Sequence, residues 1–287
     1  MENSRSSYFW VQIAILAGLI ALLYYQILAR LAWDWWTDPN FSHGFLIPVF
    51  SAFVAWQNRR RLEALQPKPS WFGLLIIAGA LGILIVGVLG AEFFLSRSSV
   101  VFLLAGLIIY LWGWRHFREL LFPWAFLFFM IPIPVIIFNQ VAFPLQFLAA
   151  RLASSLLPFA GVPVLRDGNI ILLPTMSLEV AQACSGIRSL MSLGALAVIF
   201  GYFTETRNIP RLLLALAAIP IAVAANALRI VGTGLLGYFW DPAKAEGFFH
   251  EFQGWVIFVI SLAMLFSLQA ILHWFAGRGA RKKGGKP

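Results

Sequence analysis

Trp71-Phe-Gly-Leu-Leu-Ile-Ile-Ala-Gly-Ala-Leu-Gly-Ile-Leu-Ile-Val-Gly-Val-Leu-Gly90 contains no charged side chain. A helix that crosses a bilayer needs roughly 20 apolar residues at about 1.5 Å each, so this stretch predicts a membrane span. Composition extends that reading to the whole chain of 287 residues: 61% are hydrophobic, only 11% are charged, and the mean hydropathy is +0.83. Soluble domains carry about 25% charged residues, so a soluble fold is excluded. Comparable segments lie at about 8–30, 43–57, 98–114, 120–138, 185–203, 211–237 and 250–275, which makes about eight spans. The second is short, and the fifth carries Pro123, Pro132 and Pro134. The first is long enough to span and lacks a small-residue cleavage site, so it reads as a retained helix and not as a signal peptide.

Loop charge sets the expected sidedness. The net charge of +9 suggests nucleic-acid binding only until the charges are placed. Arg5, the group Arg59, Arg60, Arg61 and Lys68, then Arg115 and Arg118, Arg207 and Arg211, and a tail with Arg278, Arg281, Lys282, Lys283 and Lys286 all fall on one side of eight spans. The opposite loops hold Asp34, Asp38, Glu92, Asp167, Glu179, Asp241 and Glu246. By the positive-inside rule both termini are expected in the cytoplasm, and no nucleic-acid partner is expected. Segment 139–158 is apolar, but a further span there would move Arg207, Arg211 and the tail outside. With Gln140, Arg151 and Ser155 near one helical face, it reads as an interfacial or re-entrant helix. Beyond it, Asp167-Gly168-Asn169 is a turn signal and Ile170–Leu173 a short strand. The expected fold is an all-α polytopic membrane protein of about eight transmembrane helices, with one interfacial or re-entrant helix and a short extracytoplasmic loop or strand segment. It is expected to be a single domain over 1–287 with a basic cytoplasmic tail at 277–287.

The chemistry centres on Glu179-Val-Ala-Gln-Ala-Cys-Ser-Gly-Ile-Arg-Ser-Leu190, which holds the only cysteine, Cys184. A lone cysteine forms no intramolecular disulfide. A helix starting at about Cys184 would aim free N–H groups at its sulfur, with Arg188 one turn further in, and both favour the nucleophilic thiolate. The alternative is a small buried hydrophobe. Asn226 and Arg229 share a face of the seventh span, with Arg229 about 30 Å along from Ile209, and His250 opens the eighth. The three reactive residues therefore converge at the outer boundary, although Arg229 could snorkel and His250 could be solvated. His116 and His273 lie near basic cytoplasmic ends and read as solvated. Cys184 would attack a carbonyl, His250 would take and return a proton, and Arg229 would hold an oxyanion or a substrate carboxylate. Such a donor contributes roughly 3–4 kcal/mol. The single cysteine and scattered histidines offer no metal-ligand spacing. With no glycine-rich phosphate loop and no haem pattern, no cofactor is expected.

Four stretches, Phe41-Ser-His-Gly-Phe-Leu-Ile-Pro48, Ala183-Cys-Ser-Gly-Ile-Arg-Ser189, Asn226-Ala-Leu-Arg229 and His250-Glu-Phe-Gln-Gly-Trp255, resemble in order and spacing the exosortase/archaeosortase family of membrane-embedded cysteine transpeptidases. The resemblance implies catalytic Cys184, Arg229 and His250, and the histidine form is similar to the bacterial branch. It implies a multi-pass protein of the bacterial cytoplasmic (inner) membrane, with its active site facing the periplasm or exterior. Implied partners are exported proteins bearing a C-terminal Pro-Glu-Pro type sorting signal, a transmembrane helix and a basic cluster, together with membrane lipids. The motif would be cleaved through a Cys thioester and the protein passed to an unidentified acceptor nucleophile in a surface anchor or extracellular polymer. Arg188 or Arg166 would pair with a substrate glutamate, with Asn226 and His43 supporting the substrate site. For Arg188, bracing its own bundle is an equal alternative, and for His43 a helix-entry turn is another. Two further readings stand beside this one: an intramembrane serine-type protease using Ser185 and His250, and a non-enzymatic transporter or flippase whose Arg229 lines a path.

Overall fold

A computed structural model describes the backbone of residues 2–180, 187–240 and 248–283, and the side chains of 15–180, 189–240 and 254–274. The chain divides into two packed units, Met1–Pro134 and Val135–Pro287.

In the first unit α1 (Glu2–Thr37) leads through a 3-10 turn at Ser42–Phe45 into α2 (Leu46–Gln57) and α3 (Arg59–Glu63). Then come α4 (Phe72–Leu89), α5 (Phe93–Leu111), α6 (Trp114–Glu119) and α7 (Leu121–Phe126). The α4–α5 hairpin depends on close backbone approach. A Cβ on Gly73 would strike the backbone of Tyr110, and one on Gly87 would come within 2.6 Å of the Ser96 nitrogen. Lipid tails are as apolar as leucine, so tight packing of small residues is what holds such helices together. The Glu92 carboxylate caps α5 by accepting the Leu95 N–H at 2.6 Å.

Polar ties pin α1 and α7 to this hairpin. Arg97 is 4% exposed and pairs with Asp34. The Tyr24 and Ser99 hydroxyls are 3.1 Å apart, and the Trp124 indole N–H donates to the Val101 carbonyl at 2.7 Å.

The second unit begins with α8 (Val135–Leu156) and a 3-10 turn at Leu157–Ala160. A three-stranded antiparallel meander follows in the order β1 (Leu165–Asp167), β2 (Ile170–Leu172) and β3 (Ser177–Glu179). Then come α9 (Ile187–Thr204), α10 (Asn208–Phe239) and α11 (Phe248–Lys283). Gly168 turns the first hairpin at φ +61°, a conformation that glycine adopts without steric cost. This is the turn and strand expected from 167–173, to which the structure adds strands on both sides. One core joins Ala149, Ala150 and Ala153 of α8 to Ile171 and Val180 of the sheet segment and Ile230 of α10. A second joins Leu193 and Ala197 of α9, Leu214 and Ala218 of α10, and Leu265 of α11.

Among the described residues six helices are long and apolar enough to cross a membrane: Ile15–Thr37, Phe72–Leu89, Phe93–Leu111, Val135–Ala160, Asn208–Phe239 and Gly254–Trp274. The expected count of eight is therefore not reproduced. The second expected span is a helix of only 12 residues. The fifth, 120–138, is divided: α7 and a 3-10 turn end at Met130, and α8 starts at Val135. Pro132 and Pro134 lie in the break, where proline removes a backbone donor and disfavours helix in the residue before it. Segment 139–158, expected as an interfacial or re-entrant helix, lies within a 26-residue apolar helix long enough to cross.

One histidine departs from expectation: His116 is 7% exposed instead of solvated. His273 is exposed as expected, and its ring nitrogen lies 2.6 Å from a Glu205 carboxylate oxygen.

Replacing Gly73 by Leu should destabilise the first unit by about 3 kcal/mol or more, because overpacking costs 1–3 kcal/mol even where side chains alone must yield. Here the obstacle is backbone. A thermal-shift assay in detergent should show a lowered Tm for Gly73→Leu and little change for Gly79→Leu, whose Cβ position is open.

Candidate active site

α10 carries the polar pair of the second unit. Its 32 residues hold Asn226, 3% exposed, and Arg229, half-buried one turn later on the same face. Around them Ala222, Ala225 and Ala227 are buried, and such small side chains let neighbouring helices come close. The Thr233 hydroxyl donates to the Arg229 carbonyl at 3.0 Å.

The guanidinium reaches toward α11. A Cβ built on Gly254 would lie 4.0 Å from Arg229 Nη2, so the guanidinium sits at ordinary contact distance from this turn, with room for a methyl but not for a long side chain in its direction. His250 stands four residues earlier in α11, hence on the same helical face. The side chain of His250 is outside the described residues; its backbone position adjoins the turn against which Arg229 rests.

The sheet leads the chain toward the cysteine segment. After β3, the Val180 N–H donates to the Asn169 carbonyl at 3.0 Å, and the Asn169 side-chain amide donates back to the Val180 carbonyl at 3.2 Å. Val180 is 1% exposed. The strand is thereby anchored four residues before Cys184. Cys184 and Ser185 lie outside the described residues, as does the side chain of Arg188, the second residue of α9.

The remaining expected site residues are placed elsewhere. Arg166 is exposed on β1 and donates through Nη1 to the Gly168 carbonyl at 2.9 Å, bracing its own turn. A guanidinium has five N–H donors, so this bond leaves others for a ligand. His43 belongs to the first unit, in the turn ahead of α2. The adjoining Gly44 has no room for a Cβ because the Trp35 indole fills that space. Burial holds the His43 pKa below its ordinary value, partly offset by backbone groups of Phe129 and Asn40. The imidazole is therefore neutral at pH 7.

The structure thus brings together Asn226, Arg229 and the α11 turn that follows His250. Sequence reasoning did not single out Gly254 or Asn169. Glycine one helical turn after a candidate histidine was the available signal for the first. For Asn169 the sequence signals only a turn. Among the described residues no three His, Cys, Asp or Glu side chains gather to hold a metal ion.

The family model described as transmembrane exosortase matches residues 35–267. The chain belongs to the transmembrane exosortase family. The match runs from the end of α1 into α11 and includes every candidate residue named above. Membership implies a membrane sorting peptidase or transpeptidase acting on proteins that carry sorting signals, and the apolar helices agree with a multi-pass exosortase. Nothing among the curated proteins or the solved structures matches the chain.

Two predictions follow the geometry. Gly254→Ala should retain most client cleavage, since 4.0 Å is an ordinary contact. Gly254→Leu should lower it about a hundredfold, the scale of loss when a catalytic group is misplaced by an ångström. A client-processing assay reads both. For His43, a folded pKa below the unfolded value makes stability complete above about pH 6.5 and lost as pH falls below it. The Tm of the wild type should fall more between pH 7 and pH 5 than that of His43→Gln.

Proposed function

We propose that this exosortase is a cysteine transpeptidase of the bacterial cytoplasmic membrane, with both termini in the cytoplasm and its active site at the extracytoplasmic face. Its clients are exported proteins with a C-terminal Pro-Glu-Pro type motif, a membrane helix and a basic cluster. The observation that carries the reading is the Arg229 guanidinium resting against α11 one turn from His250, within a chain matched to the family over residues 35–267.

In this mechanism the Cys184 thiolate attacks the scissile carbonyl, and the oxyanion is stabilised by Arg229. Collapse of the tetrahedral intermediate breaks the C–N bond. His250, protonated by the thiol, returns that proton to the leaving amine, and a thioester remains. An acceptor nucleophile then attacks the thioester, loses its proton to His250, and the thiolate leaves. Asn226 positions Arg229 on α10, while Arg188 and Arg166 supply cations for a substrate glutamate. A transmembrane client fits this arrangement because its helix can lie in the bilayer while its motif reaches the outer interface.

Co-expression of a tagged client bearing such a tail provides the test. Cys184→Ala should abolish processing, Arg229→Gln should lower it by about two to three powers of ten, and Ser185→Ala should leave it near wild type. The product mass distinguishes transfer from hydrolysis. Processing that survives Cys184→Ala but is lost in Ser185→Ala would instead assign a serine-type protease.

A further inference from the structure

We infer that the first unit binds an anionic phospholipid at its basic end, with the phosphate held by arginines around α6 and one acyl chain lying in a cleft that continues along α2. Two cavities carry this assignment. The first, about 430 Å³, is lined by Leu62, Leu65, Ile108, Trp112, His116 and Leu120, with Glu63 also in its wall. The second, about 260 Å³, includes Pro48, Ser51, Ala52, Leu104 and Trp124 and shares Ile108 and Leu120 with the first. The shared residues make the two clefts neighbours along one apolar track. It begins among the basic segments beside α3 and α6 and continues along α2 and α5.

The track is built into the fold. The Lys68 N–H donates to the Trp112 carbonyl at 3.0 Å, and the Ser70 N–H to the Ile109 carbonyl at 3.3 Å. The Asn58 amide donates to the Glu119 carbonyl at 3.3 Å. These bonds fix the α2–α3 and α3–α4 connections against the ends of α5 and α6, so the cleft does not depend on side-chain placement alone.

Its polar groups point to an anion with an apolar tail. His116, 7% exposed, lines the first cavity, and its Nδ1 has no hydrogen-bond partner among the described residues. Arg115 and Arg118 flank it on the same short helix, and Arg61 and Lys68 flank the lining residues Leu62 and Pro67; all four are exposed. Glu63 and Glu119 are the acidic residues of these segments, so the local charge is positive. Basic residues beside a membrane helix attract the acidic lipids of the cytoplasmic leaflet. A soluble anion would use the arginines but leave the apolar track empty, and a zwitterionic lipid would fill the track without matching the charge.

The assignment can be tested on the full chain in neutral detergent by native mass spectrometry with equal amounts of phosphatidylglycerol and phosphatidylcholine of the same acyl chains. One phosphatidylglycerol should be retained about tenfold better than phosphatidylcholine, since each surface Lys or Arg adds a few-fold to binding of an acidic lipid. The preference should fall below about twofold in Arg61→Gln/Arg115→Gln/Arg118→Gln. These positions are exposed, and an unchanged Tm without lipid would verify folding. Ala52→Trp, at an exposed position lining the second cleft, should weaken retention of long-chain phosphatidylglycerol more than that of a short-chain form. Equal retention of the two lipids, or a preference that survives the triple variant, overturns the proposal. Displacement by glycerol 3-phosphate also overturns it, assigning the cleft to a soluble anion. Client cleavage plays no part in this readout, so its outcome is independent of the catalytic assignment.

Discussion

Hydrocarbon offers no hydrogen bonds, and every other feature of this chain answers to that constraint. Backbone N–H and C=O groups at membrane depth must be paired internally, which favours helices wherever the sequence is continuously apolar. Among the described residues strands are confined to 165–179, a stretch with Arg166, Asp167 and Asn169 near its turn. The same constraint governs ionisable side chains inside the fold. Arg97 is nearly inaccessible yet faces Asp34, because an unpaired charge there would carry its full desolvation cost.

Within these limits the helices adhere through smallness. Gly73 and Gly87 allow α4 and α5 to touch backbone to backbone, and alanines line both cores of the second unit. At Gly254 the approach is looser: a Cβ there would lie 4.0 Å from Arg229 Nη2, an ordinary contact, so the guanidinium lies beside this turn of α11.

The two polar regions have contrasting designs. In the second unit, a long helix delivers Asn226 and Arg229, and the small sheet anchors the strand that leads toward Cys184 through the reciprocal Asn169–Val180 bonds. Both polar groups of Val180 are thereby paired at a buried position. In the first unit, the basic segments are tied to the end of α5 by backbone bonds and to the end of α6 by the Asn58 side-chain amide, while the arginine side chains stay exposed beside an apolar track.

The residues alone determined the membrane class, because an apolar fraction of 61% with so few charges leaves no surface for a soluble fold. They also marked the turn at 167–169, since glycine beside asparagine is a local signal, and placed Asn226 and Arg229 on one face, since helical spacing is local too. The family was legible in four short ordered motifs. Tertiary packing decided the rest. The break between Met130 and Val135, and the joining of 139–158 into one long helix, turned on how prolines are accommodated: those at 132 and 134 interrupt the chain, while Pro144 sits inside α8. Burial of His116 required α6 to fold against neighbours distant in sequence. Arg229 comes beside Gly254 only because α10 packs against α11, and distances between helices are set by packing, which no local spacing encodes.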